Sequence, residues 1–152
     1  ELKSLGGVRV VVTDNQSGDD SPAKIRQAID DNQWAGWATL MRDLEDRGLL
    51  ESTTILWMGE FGRTPTINSS AGRDHFPAAW STVLAGGGIA GGQAFGKTNE
   101  GGTAVVDGQI GVEDLLATLA EAVGVGAGAS VMAPSGRPMP ISDGSPVKEV
   151  LA

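Results

Sequence analysis

Residues 55–75 read ILWMGEFGRTPTINSSAGRDH, and the way the first four of them end sets the fold class. The apolar run Ile55-Leu56-Trp57-Met58 stops at Gly59, and a carboxylate, Glu60, follows at once. Arg63, Arg73, Asp74 and His75 come next, and His75 is the only histidine in the chain. Open α/β sheets build sites in this way, with a buried strand delivering an acid into a polar loop at its carboxyl end.

Upstream, Val8–Thr13 (VRVVVT) is continuous and β-branched, as in a strand buried on both faces of a parallel sheet. Asp14–Asp20 is an acidic loop. Ser21-Pro22 is a helix start, with an N-cap serine and a proline at the first helical position. Ile25, Ala28, Ile29, Trp37, Leu40, Met41 and Leu44 then recur at helical spacing, and Gly48 after Arg47 is a stop. Thr53–Met58 is the second strand, so residues 8–58 predict a βαβ unit and an α/β fold with a parallel sheet.

Downstream, Trp80–Ala85 reads as a third strand. Gln93–Phe95 and Thr103–Val106 read as short strands of a hairpin or lid. Val112–Val123 is an amphipathic helix, with Leu115, Leu116, Leu119 and Val123 on one stripe, stopped by Gly124. Residues 133–152 have little periodicity and predict a tail over the surface, with a short element at Val147–Leu151.

The 152 residues fit a single domain, or a fragment of a larger one. Forty per cent hydrophobic and 20% charged residues describe a globular chain. A net charge of −8 argues against nucleic acid and anionic membrane surfaces, which require basic patches. No run approaches a membrane span, and with no cysteine there is neither disulfide nor thiolate chemistry. The chain begins at Glu1 rather than methionine, as a processed or cut chain would.

Glu60, just past a strand, is placed to bind a divalent cation, and a salt bridge to Arg63 or Arg73 is the plainer alternative. His75 needs a partner on its second nitrogen, which Asp74 or Asp14 could supply; otherwise it is structural or solvated. A single histidine excludes a tri-histidine zinc site, and no GxSxG elbow is present. Arg63 and Arg73 either clamp an anion such as phosphate, sulfate or carboxylate, or lock the loop onto its own acids. Gly86-Gly87-Gly88 and Gly91-Gly92 lack a following Lys-Ser or Lys-Thr, so they read as close-packing glycines rather than a phosphate loop.

Glu60-Phe61-Gly62-Arg63-Thr64-Pro65, Gly72-Arg73-Asp74-His75 and Leu84-Ala85-Gly86-Gly87-Gly88-Ile89 together resemble the signature of a family of bacterial exported proteins, domain of unknown function 1501. Asp46-Arg47-Gly48-Leu49-Leu50 and Gly136-Arg137-Pro138 fit the same resemblance, which covers nearly the whole chain. The resemblance implies an alkaline-phosphatase or sulfatase-like architecture: a parallel sheet between helices, with metals at the strand ends. It also implies an exported, periplasmic or envelope location through a twin-arginine signal. Family members are longer, so this chain resembles their carboxyl-terminal part, and the superfamily's nucleophile falls outside it. At most Asp14, Glu60 and His75 carry over as metal ligands. Gln16 stands where the family pattern has a histidine, and glutamine is a poor ligand for zinc.

Two expectations follow from the resemblance. One is a non-catalytic, degenerate alkaline-phosphatase-like segment, acting as a structural or interaction subunit with other subunits or with its own amino-terminal part as partner. The other is the carboxyl-terminal part of a phosphate- or sulfate-ester hydrolase. Its cofactor would be a divalent metal (zinc, manganese, magnesium or calcium) on Asp14, Glu60 and His75, with Arg63 and Arg73 holding the anion.

Overall fold

The structure, a computed structural model, describes residues 11–12 and 35–152. Its centre is a three-stranded sheet of β1 (Val11–Val12), β5 (Thr82–Gly86) and β2 (Thr54–Met58), in the order β1-β5-β2. The sheet lies between α1 (Ala35–Asp46) and α2 (Val112–Ala122). Side chains alternate across a strand, and β5 shows the consequence. Leu84 stands opposite Leu56 and joins Leu115 of α2 in the larger core cluster with Ile89, Val147 and Val150. Ala85 stands opposite Ile55 and packs on the other face against Met41 of α1. The fold is therefore mixed α/β, with a helix on each face of the sheet.

The expected parallel pairing is corrected: every described strand pair is antiparallel. β1 and β2 do run the same way, as the strand–helix–strand order requires, because each is antiparallel to β5. The third strand enters between them in the opposite sense. A central antiparallel strand covered on both faces has the same unbroken apolar run as a parallel one, so burial alone does not distinguish them. Val83, Leu84 and Ala85 of β5 are buried, whereas Trp57 on β2 is 43% exposed.

Both helices end where glycine was expected. Gly48 has φ +66° and donates to the Glu45 carbonyl, while Leu49 N–H reaches back to Leu44 O at 2.8 Å. Gly124, Val125 and Ala120 repeat this closure after α2. It satisfies carbonyls that the helix itself leaves unpaired, and it needs a left-handed residue. The predicted stripe on α2 is rotated: Leu115, Ala117, Thr118 and Ala120 are buried, while Leu116 and Val123 face outward.

The predicted hairpin lies later than expected, at β6 (Lys97–Thr98) and β7 (Val105–Asp107). The carboxyl-terminal segment is more than a surface tail. It forms an unforeseen hairpin, β8 (Ser130–Met132) with β9 (Pro138–Pro140), and then sends Val147 and Val150 into the core. A short 3₁₀ turn, Lys148–Val150, and a bridge from Leu151 to Ile89 close the chain.

Two polar groups on α2 tether that segment. Buried Thr118 donates its hydroxyl to Asp114 O and accepts from Val147 N–H at 2.9 Å. The Asp114 carboxylate accepts from Gly111 N–H and Ser145 N–H, and these two bonds hold its pKa below the ordinary carboxylate value.

Candidate functional site

The signature residues form one hairpin with its loop. β3 (Gly62–Arg63) pairs with β4 (His75–Phe76), which sets Arg63 opposite His75. Phe61 contacts both side chains. Its ring centroid is 4.1 Å from that of His75, and the Arg63 guanidinium carbon is 5.2 Å from it on a cation–π contact. Gly62 is buried, and a Cβ there would collide with the backbone carbonyls of Phe76 and Ala79. The glycine of the motif thus lets the hairpin lie flat on the segment that follows it.

The loop from Thr64 to Asp74 is closed by its own groups. Thr64 N–H donates to Asp74 O at 3.0 Å, and Asp74 N–H donates to the Thr64 hydroxyl at 3.1 Å. Arg73 donates through one guanidinium nitrogen to the carbonyls of Thr64, at 2.7 Å, and Pro65. Asn68 organises the far end of the loop. Its amide oxygen accepts from Ser70 and Gly72 N–H, and its amide nitrogen donates to the Asp74 carboxylate at 2.8 Å. Asn68 was not singled out in the sequence, although Asn-Ser-Ser-Ala-Gly carries the turn chemistry that marks such a role.

Of the candidate ligands, Glu60 and His75 are exposed on this hairpin, and Asp14 lies outside the described residues, as does Gln16. The expected pairing of Glu60 with an arginine is not made: the one ion pair among the described residues joins Arg47 to Asp43 on α1. No group of three histidine or carboxylate side chains among the described residues is arranged to hold a metal. Zinc takes four ligands, and magnesium or calcium six or more. Glu60 and His75 alone therefore do not complete a site.

A separate cavity of about 300 Å³ opens beside the core. Trp80, Phe95, Lys97 and Ile110 form its walls, and Leu84 and Leu115 line it from the core. It begins just past β4, at Pro77, and none of Glu60, Arg63, Arg73 or His75 lines it. Among the described residues, Lys97 is its only charged lining residue.

The sequence model of one family, described as "Protein of unknown function (DUF1501)", matches residues 19–151. No curated protein and no solved structure matches the chain.

Proposed function

The chain belongs to the family of proteins of unknown function DUF1501, and from that premise we propose that it is a non-catalytic segment with a structural or interaction role in a larger, exported assembly. Its architecture, in this reading, is a degenerate form of the alkaline-phosphatase-like sheet between helices. The observation that carries the proposal is the self-closure of the signature. Arg73 is engaged by the Thr64 and Pro65 carbonyls, Asp74 by Asn68, and Arg63 and His75 by Phe61. The two halves of the motif thus hold one another, as a clasp does. A second reading, a metal-dependent phosphate- or sulfate-ester hydrolase completed by upstream ligands, draws support from Glu60, which neither Arg63 nor Arg73 neutralises.

The clasp is tested by urea unfolding of Arg73→Ala beside His75→Ala. Removing a charged donor from two carbonyls at an exposed site is expected to cost about 1–2 kcal/mol. His75→Ala, which loses one exposed ring contact, is expected to cost less than about 1 kcal/mol. An Arg73→Ala midpoint equal to that of the unsubstituted chain would remove the structural reading of the signature.

A further inference from the structure

The β8–β9 hairpin stands out as an arm that no other described element covers. All six of its strand residues are exposed, Val131 at 55%, Met132 at 67% and Met139 at 50%. Val123, Val125 and Ile141, close by in the chain, are also exposed. An isolated two-stranded hairpin is at best marginally stable in water, and a concentration of exposed apolar side chains marks a contact surface.

The backbone says which edge is open. Ile141 N–H donates to Ala129 O, Ala133 N–H donates to Arg137 O, and Val131 pairs with Met139. The odd-numbered positions of β8 therefore bond inward, and Ser130 and Met132 turn their N–H and C=O groups outward. On β9 the outward positions are Pro138 and Pro140, which have no N–H to offer. Prolines at these places protect a sheet edge from further pairing. The outer edge of β8 has no such protection.

We propose that the β8 edge pairs antiparallel with β8 of a second copy of this chain, giving the four-stranded order β9-β8-β8-β9. A twofold axis at Val131 sets Ser130 of each copy against Met132 of the other, so that two reciprocal pairs exchange four backbone hydrogen bonds. A strand with outward groups on both sides of a central residue is self-complementary, as an isologous contact requires. Val131 then meets its own counterpart at the closer, non-hydrogen-bonded spacing of about 4.5 Å between Cα atoms. Met139 flanks it on each side, making one apolar stripe across the four strands. The charge distribution favours a second copy as the occupant. Each chain carries −8, yet residues 123–141 contain one charged side chain, Arg137, and no acid, so two copies meet here without carboxylate repulsion. The prolines on both outer edges then stop growth at four strands. The pairing lies on a different hairpin from the signature loop and does not depend on how that loop is read.

Sedimentation equilibrium of the 152-residue chain from about 5 to 500 µM tests the pairing, since a contact this small forms a concentration-dependent dimer rather than a permanent one. The mass is expected to rise toward the dimer. Val131→Lys puts two like charges on the axis, and Met132→Pro removes an outward N–H that the β8–β9 ladder does not use. Each is expected to weaken association roughly tenfold or more, with the thermal midpoint of the monomer unchanged. A wild-type chain that is monomeric throughout, or a dimer that survives Met132→Pro, would overturn the proposal.

Discussion

Gly88→Ala is expected to lower the stability of the chain by about 3 kcal/mol or more, and to drop its melting temperature by roughly 6–12 °C. Two costs add at this position. Gly88 has φ +74°, a left-handed conformation that strains any residue with a Cβ. An added Cβ would also run into the Ala122 backbone carbonyl at the end of α2. That obstacle is main chain, so no side-chain rotation relieves it. The helix end must move instead, and with it the closure at Gly124 and the Ala152 N–H bond to Gly88 O at 3.1 Å. Circular dichroism during heating measures the shift. Gly124→Ala is the comparison: it has similar φ but open space around the new Cβ, so it bears the conformational cost alone, about 1 kcal/mol.

Leu115→Ala is expected to cost about 3 kcal/mol in urea unfolding. Leu115 is 4% exposed and joins residues from three separate pieces of chain: Leu84 of β5, Ile89 after the triple glycine, and Val147 with Val150 near the end. It also lines the 300 Å³ cavity, so truncation enlarges an existing void that its neighbours cannot fill. Leu116→Ala, one position along the same helix at 49% exposure, is expected to change stability by less than about 0.5 kcal/mol. Equal effects at the two positions would mean that α2 is turned differently from the orientation described.

The contrast between Leu115 and Leu116 also shows what the sequence could tell. Helical spacing located α2 and its end at Gly124, because a 3.6-residue period and a left-handed stop are local properties. It did not choose which of two adjacent leucines faces the sheet, because that depends on where β5 lies. Strand pairing was illegible for the same reason. Thr54–Met58 and Thr82–Gly86 are recognisable strands, but their relative direction is set by the long connection through the signature hairpin. The β8–β9 hairpin escaped because Pro138 and Pro140 argue against a strand everywhere except at an edge. The signature residues of the candidate site were conspicuous, since arginines, acids and the lone histidine are chemically distinctive. Their mutual arrangement was not: Arg73 faces the Thr64 and Pro65 carbonyls rather than a carboxylate, and backbone acceptors leave no mark in a sequence.

The structural reading of the signature is tested most directly by thermal unfolding of the chelator-treated chain, with and without added zinc or manganese. The expected result is a midpoint unchanged to within about 1 °C, because a structural clasp of arginine, carbonyls and an aromatic ring gains nothing from a cation. A ligand present at about 100 times its dissociation constant stabilises by about 2.7 kcal/mol, which for a chain of this size is a rise of roughly 5–11 °C. A rise of that size, abolished by both Glu60→Ala and His75→Ala, would contradict the clasp and establish the hairpin as a metal site.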